Sequence, residues 1–592
     1  MRRHCIKTPK NVKKNRFSGK NSFSLYTWLM QSNLIKIIEE VLFSLELDSS
    51  IVSKDDFHKF KNQIFSKYKI PYGISGIDFI ERYRGLIKEG KLPENIRIWK
   101  LLRKRAVRSL SGVSVISLLT KFWWCPGKCI YCPTYENLPK SYITNEPAVM
   151  RAELNEFNSV KQVQNRLRSL ELTWHTIEKC DVRIIGGTWS VYPKEYKDAF
   201  IRDIYDAHTT FEALTPFIEN VEVGEDTFAR FKVREGYKMQ QSKTLEEAQE
   251  RNQSAKSRVI WMAIETRPDW INLSEIVELR QYWVTRVEIG YQTTIDSINE
   301  LNKRGHGNKE SIEATRLLKD AGFKVVAHIM PNLVWSTPEL DKESLARVFS
   351  DSNFRPDELK LYPMVVTPNS ELTEIWKNGW YTPYNDETLI TLMAELQSYI
   401  PEYVRLNRMY RDIPANEILA GSKLANLRQV TDERMAKLWV YRKDISAREI
   451  RAKWNKPENA ILDENFYEAS GWHEYFLQFI DDEDRTVFSL LRLRVPSQYF
   501  TKEKHPMDVL QNAAIIREVH TFWDQLPIGS KADGTWQHMG FGKRLIERAE
   551  TIIREKYPTI EKIAVISGIW VRGYYEKRWY QKEGDYMIRY IQ

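Results

Sequence analysis

The feature that most constrains this chain is an alternation between residues 96 and 400. Short apolar runs at 113–118, 182–185, 259–264, 286–289, 324–328 and 358–362 are separated by amphipathic helical stretches. Such strand–helix alternation points to a parallel sheet or barrel with helices on its faces. Around this block the chain divides into four parts without an internal repeat. Residues 1–95 are a basic tail followed by helix, with Leu34, Ile37, Ile38, Val41, Leu42 and Leu45 at helical spacing. Residues 96–400 are the alternating block, within which about 209–258 is charged and Gln-rich and reads as an insertion. Residues 401–460 are basic, mostly helical, and expected to be a linker. Residues 461–592 form a compact α/β unit: a hairpin around 481–484, a strand at 515–520, a helix from about Gly542, a strand at 563–567, then a last helix and strand.

Charge is unevenly spread. The chain has 89 basic and 79 acidic residues, a net +10. Residues 1–20 hold Arg2, Arg3, Lys7, Lys10, Lys13, Lys14, Arg16 and Lys20 and no acid. A second acid-free stretch, 97–121, includes Arg97, Lys100, Arg103, Lys104, Arg105 and Arg108. Such clusters suit a polyphosphate partner, and a solvated surface is the bland alternative. The acid-poor N-terminus also admits an organellar transit peptide, but mixed Lys and Arg with few Ser favour an RNA-contacting arm. No apolar run approaches the roughly 18 residues of a membrane span. The apolar stretch 34–51 is broken by Lys36, Glu39, Glu40 and Glu46, so no membrane association is expected. The cysteines Cys5, Cys125, Cys129, Cys132 and Cys180 are odd in number and sparse, which argues for a reducing, cytoplasmic location.

Three of those cysteines fall in Cys125-Pro-Gly-Lys-Cys129-Ile-Tyr-Cys132, just after the first strand. Three thiolates cannot close a four-ligand zinc site alone. They suffice for a [4Fe–4S] cluster with one iron left open. A zinc knuckle borrowing a distant His is the competing reading. The loop after a first strand is where a parallel barrel places its site. The spacing, with Tyr131 before the last cysteine, resembles the radical-SAM signature, in which the open iron chelates S-adenosylmethionine (SAM) and a 5′-deoxyadenosyl radical is released. Gly186-Gly187-Thr188 follows the second strand, and paired glycines let backbone approach a ligand. In radical-SAM enzymes such a pair contacts the SAM amino group. Later strands end in Glu265-Thr266-Arg267, Glu288 with Gln292, His328 with Met330, and Lys360 with Tyr362. Their convergence on one face would make a polar site.

The C-terminal block carries Gln537-His-Met-Gly540-Phe541-Gly542-Lys543 before an amphipathic helix. A helix N-terminus offers free N–H groups to a pyrophosphate. The pattern resembles the acetyl-CoA loop of GCN5-related N-acetyltransferases (GNAT). The strand ending Glu518-Val519-His520-Thr521 is where that fold splays to receive a pantetheine arm. Arg572-Gly573-Tyr574-Tyr575 places two tyrosines near the expected thioester, and either phenol could protonate a leaving thiolate. One of the two is expected to be a packing residue.

Both modules in one chain resemble the catalytic subunit of Elongator and its single-chain archaeal and bacterial relatives, over about residues 105–592. The match is carried by Arg108-Ser-Leu-Ser-Gly-Val113, Cys129-Ile-Tyr-Cys132-Pro133, Met150-Arg-Ala152, Ile184-Ile-Gly-Gly-Thr188, Glu265-Thr-Arg-Pro-Asp269, Asp320–His328, Leu359-Lys-Leu-Tyr-Pro363, Leu491-Arg-Leu-Arg494 and Arg572-Gly-Tyr-Tyr575. The resemblance implies an α/β chain: a partial TIM-like (β/α) radical-SAM barrel fused to a C-terminal GNAT acetyltransferase domain. Ahead of it, the charge pattern and helical spacing of residues 1–95 give a helical basic N-terminal region expected to bind tRNA. The resemblance also implies a tRNA wobble-uridine acetyltransferase that builds a carboxymethyl-type group at uridine C5 from acetyl-CoA. The deoxyadenosyl radical would take hydrogen from the acetyl methyl, the carbon radical would add to C5, and the thioester would be hydrolysed. By the same resemblance Cys125, Cys129 and Cys132 ligate the cluster. Glu518, Val519, His520, Thr521, Phe541, Gly542, Lys543, Tyr575 and Lys179 match acetyl-CoA contacts. The partners implied are the tRNA anticodon stem-loop and either Elongator-type accessory subunits or a second copy. The gap between the first two cluster cysteines is shorter than in most relatives. Met330-Pro331-Asn332 replaces the family's Met-Pro-Asp, putting that acid's role in doubt. Trp439-Val-Tyr-Arg-Lys443 lacks the zinc-binding cysteines of many relatives, so no structural zinc is expected there. A protein lysine acetyltransferase with a purely structural barrel is the alternative, and an RNA-binding scaffold with a degenerate site is a third.

Overall fold

A computed structural model describes residues 22–68, 76–102, 112–173, 175–211, 217–223, 226–232, 240–450, 457–522 and 540–591. The basic tail with Cys5, the basic residues Arg103, Lys104, Arg105 and Arg108, and Gln537 lie outside them. The chain forms two compact units, residues 1–106 with 172–175, and the remainder.

The first unit is helical: Ser22–Leu47, Lys54–Lys67, Gly76–Lys88 and Ile96–Leu102. The apolar spacing of the first helix places Ile38, Val41, Leu42 and Leu45 in a core with Phe57, Phe79, Ile80 and Tyr83. Ser53 opens the second helix through a reciprocal capping box with Asp56.

The second unit contains two seven-stranded sheets. The first uses β1 (Ser114–Leu119) and β2 (Lys179–Ile185); β3 (Phe217–Val223) and β4 (Asp226–Lys232) pair separately as a hairpin inside the expected insertion. It continues with β5 (Arg258–Thr266), β6 (Arg286–Gln292), β7 (Lys324–Ile329), β8 (Glu358–Leu361) and β9 (Arg405–Arg408). The order β1-β2-β5-β6-β7-β8-β9 is parallel throughout. All six expected strands are present. The seventh, β9, lies in the stretch expected as a linker. That expectation is corrected here: Arg-Leu-Asn-Arg is too short and polar to show a strand pattern, and it is held by pairing with β8.

The second sheet comprises β10 (Ala460–Ala469), β11 (Trp472–Asp481), β12 (Val487–Val495), β13 (Ala513–Thr521), β14 (Lys562–Val565), β15 (Gln581–Glu583) and β16 (Tyr586–Tyr590). Its order is β10-β11-β12-β13-β14-β16-β15, antiparallel except for β13 on β14. The chain ends in a β15–β16 hairpin rather than the single strand expected.

Charge, not apolar surface alone, joins this sheet to the barrel. Arg517 on β13 is fully buried and donates to the Phe323 carbonyl (2.7 Å), to Asp357 (2.9 Å) and to Glu474 (3.1 Å). Arg494 bridges Glu474 (3.0 Å) and Asp320 (2.7 Å). Lys324, at the start of β7, bonds Glu518 at 2.6 Å and faces Glu358 at 3.4 Å. The second sheet therefore seats against the N-terminal ends of β7 and β8.

Candidate functional site

The cysteine loop leaves the C-terminal end of β1. Gln162 clamps that end, its amide accepting from the Leu119 N–H and donating to the Leu119 carbonyl, both at 3.0 Å. Cys129 is buried, Cys125 and Cys132 are half-buried, and all three are free thiols. The Cys125 Sγ lies 3.6 Å from the Thr188 hydroxyl, next to Gly186 and Gly187. Both glycines have positive φ, +147° and +92°, and a Cβ on Gly186 would fall 1.9 Å from the Thr120 hydroxyl. The structure thus brings the expected Gly-Gly pair to the cysteine loop.

Two buried arginines flank that loop. Arg304 directs Nη1 at the Cys129 Sγ (3.5 Å) and Nη2 at the Gly290 carbonyl (3.0 Å). Arg267, gripped by Asp269 at 2.9 Å, leaves its Nη1 without a hydrogen-bond partner beside Gly127. A Cβ on Gly127 would meet that nitrogen at 2.4 Å, which explains a glycine between the first two cysteines. A hydrogen bond from the Cys132 thiol, followed by the charges of Arg304 and Arg267, holds the Cys129 thiol well below its ordinary range despite burial.

Three free thiols on one loop, one favoured as thiolate and backed by two guanidiniums, fit the donor set of a cluster with one open iron. Among the described residues no three Cys, His, Asp or Glu side chains converge on a single metal ion. A cubane distributes its thiolates over separate irons and needs no such convergence.

The strand ends also meet. Glu288 is 3.0 Å from the His328 Nε2 and is ion-paired with Lys360. His328 Nδ1 is 4.0 Å from Glu265, which accepts from the Tyr142 hydroxyl at 2.9 Å. Burial alone would raise the Glu288 pKa, but Lys360 and His328 hold its carboxyl well below the usual range. Asn332, in the family's acid position, is buried at φ +68°. Its N–H donates to Asp341 (2.7 Å), its amide to the Met364 carbonyl (3.1 Å), and its Oδ1 accepts from the Tyr384 N–H (3.0 Å). It is a structural staple, and Asn tolerates that left-handed backbone well.

A second candidate site lies on the other sheet. β13 pairs with β14 only over Ala513–Ile516, so Glu518, Val519, His520 and Thr521 keep one open edge. The helix Phe541–Lys556 begins beside them. Gly540, its N-cap, sits at φ +71° and supplies no side chain, leaving the first N–H groups for a ligand. Phe541 is buried on Phe479, while Lys543 is exposed and pairs with Glu547 at 3.5 Å. Tyr574 is the tyrosine at this crevice: a Cβ on Gly542 would stand 3.0 Å from its hydroxyl. Tyr575, the adjacent residue of a short helix, points elsewhere and is buried edge-on to Tyr574 and Tyr580. Burial raises the Tyr574 pKa above that of an ordinary phenol.

The barrel contributes to this crevice from the N-terminal half of β5. Trp261 of β5 packs on His520, ring centres 5.2 Å apart, and burial pushes the His520 pKa down to about 4. Lys179 stands 5.1 Å from the Trp570 ring centre, and burial lowers its pKa. Trp261 was not legible as a site residue, because it sits in an otherwise apolar strand. The remaining cysteine, Cys180, is a core residue as expected, bonded to the Ile177 carbonyl and near Ser257.

A half-open parallel barrel with a three-cysteine loop on its C-terminal rim defines a radical-SAM protein. The Radical SAM superfamily model matches residues 122–339, and the Radical_SAM C-terminal domain matches 356–437. The chain is 34% identical to the tRNA uridine(34) acetyltransferase of Methanocaldococcus infernus, covering 94% of this chain and 99% of that one. It is 30% identical to Elongator complex protein 3 of Homo sapiens, covering 95% and 97%. The solved structure of M. infernus Elp3 lacking residues 1–46 superposes with a TM-score of 0.67 at 33% identity, over 81% of this chain and all of that one. The chain belongs to the tRNA uridine(34) acetyltransferase/Elongator complex protein 3 family. No helix among the described residues is long and apolar enough to cross a membrane.

Proposed function

We propose that this chain is a tRNA wobble-uridine acetyltransferase that uses SAM, a [4Fe–4S] cluster and acetyl-CoA to carboxymethylate uridine C5. The observation that carries this reading is the presence, in one compact unit, of a three-thiol loop and an uncapped helix N-terminus opening on a splayed strand. The second sheet is read as a GNAT-type domain.

Cys125, Cys129 and Cys132 would hold the cluster, and Gly186 and Gly187 would let the SAM amino group approach. With SAM bound, the cluster supplies a 5′-deoxyadenosyl radical. Arg304 and Arg267 offset negative charge at the cysteine loop. Gly540, Phe541, Gly542 and Lys543, with Gln537 beyond the described residues, would take the CoA pyrophosphate. Glu518, Val519, His520 and Thr521 would line the pantetheine arm, and Lys179 would meet the CoA from the barrel side. Tyr574 would protonate the leaving thiolate; Tyr575 packs behind it. A protein lysine acetyltransferase with an idle barrel would leave the paired arginines and convergent strand ends unused.

The test is mass spectrometry of tRNA after incubation with the anaerobically reconstituted protein, SAM, acetyl-CoA and a reductant. A carboxymethyl-type mass gain at the wobble uridine, absent with Cys129→Ala, is expected. An unmodified wobble uridine with an intact cluster would overturn the reading.

A further inference from the structure

The residues leading into the cysteine loop are Lys121-Phe122-Trp123-Trp124. They follow β1 outside any helix or strand and lead directly into Cys125. Trp123 faces inward, stacked on Tyr192 with ring centres 6.0 Å apart. The Lys121 ammonium stands 4.7 Å from the Tyr196 ring centre, holding the segment from its other end. That anchoring turns Phe122 and Trp124 out, where they are 45% and 56% exposed. The position is fixed by Trp123, so the two rings are presented rather than loose.

A third exposed aromatic belongs to the same rim. Trp335, 43% exposed, follows β7. Its loop is tied to the cysteine loop by Asn302, whose carbonyl accepts from the Ile130 N–H (3.3 Å) and whose side-chain amide donates to the Val334 carbonyl (3.0 Å). Leu333 and Val334 pack with Cys129 and Ile130 in one cluster. Large aromatic rings left in water on a soluble protein mark an interaction surface. The local charge selects its partner: residues 121–140 carry Lys121, Lys128 and Lys140 against the single acid Glu136. Flat rings interleaved with lysines suit stacked bases on a phosphate backbone.

We propose that Phe122, Trp124 and Trp335 form a stacking platform for the unpaired bases that flank the target nucleotide, holding the RNA loop open at the mouth of the barrel. This rests on the tRNA reading above and adds to it where the anticodon loop is gripped.

The test is fluorescence-anisotropy binding of a labelled anticodon stem-loop RNA to the reconstituted holoenzyme. Phe122→Ser with Trp124→Ser is expected to weaken binding at least about ten-fold, and the Tyr replacements at both positions to stay within about two-fold of wild type. The loss should persist at raised salt, because stacking is not screened. Iron content is measured alongside, since Trp124 adjoins Cys125. If the double variant loses its cluster, Trp335→Ser, on a different loop, carries the test with an expected loss of at least about three-fold. Wild-type affinity in the serine variants would overturn the platform and give the patch to a protein partner. No RNA binding by the wild type would fail the tRNA reading itself, and the platform with it.

Discussion

Replacing Arg517 with Met removes the centre of the ionic contact between the two sheets. Arg517 is fully buried and serves Asp357, Glu474 and the Phe323 carbonyl. Deleting one partner of a buried pair costs about 3–5 kcal/mol, because the other charge is left unmatched. Here the acids keep other partners. Asp357 retains Lys319 at 3.6 Å, Arg492 at 3.7 Å and the Val325 N–H at 2.9 Å. Glu474 retains Arg494 at 3.0 Å and Lys319 at 3.6 Å. The lower end, about 3 kcal/mol, therefore applies, with about 1 kcal/mol more for the orphaned Phe323 carbonyl. A loss of about 4 kcal/mol should lower the melting temperature by roughly 4 °C, because a unit of this size unfolds with an entropy of about 1 kcal/mol/K. Circular dichroism melts would read it, with Lys194→Met as control. Lys194 pairs with Asp198 on an exposed surface, where about 0.5 kcal/mol or less is expected. The loss should also depend on pH. Arg517 and Lys319 outweigh burial and hold Asp357 and Glu474 below the ordinary carboxylate range. Acids depressed on folding stabilise above their unfolded value of about 4, and that contribution fades as pH falls through their folded values. The gap between wild type and variant should therefore narrow below about pH 4. A loss under about 1 kcal/mol, or a gap that widens in acid, would refute the reasoning.

Three further outcomes follow from the site geometry. Tyr574→Phe should lower the rate constant of acetyl-CoA turnover about 100-fold with little change in KM, while Tyr575→Phe changes it by less than about five-fold; steady-state kinetics separate the two. Gly568→Ala would place a Cβ 1.8 Å from the Ile260 carbonyl, so thermal melts should show a loss of about 2–3 kcal/mol. Arg304→Met removes the 3.5 Å N–H···S contact to Cys129, and an EPR-monitored redox titration should find the reconstituted cluster harder to reduce, with unchanged iron content.

The barrel was legible because the outward residues of its strands, such as Val182, Ile184, Val325 and Ala327, are apolar and pack under helices. The cysteine loop and the Gly-Gly turn were legible because their chemistry is local in sequence. What was hidden depends on partners far apart. Arg304 reads as a surface residue until it meets Cys129, 175 residues earlier. Arg517 and Glu474 interrupt apolar strands and look solvent-facing until Asp357 and Arg494 are placed beside them. β9 carries no apolar pattern and exists only as the partner of β8. Which of Tyr574 and Tyr575 lies against Gly542 depends on the way a five-residue helix faces, which adjacent residues do not reveal in sequence.

The most direct test of the account is acetyl-CoA hydrolysis by the anaerobically reconstituted protein, with and without tRNA. Turnover that appears only when tRNA is added, and collapses in Tyr574→Phe, is the predicted result, since both sites would then act on one RNA. Turnover indifferent to tRNA, with acetyl groups recovered on protein lysines, would contradict it.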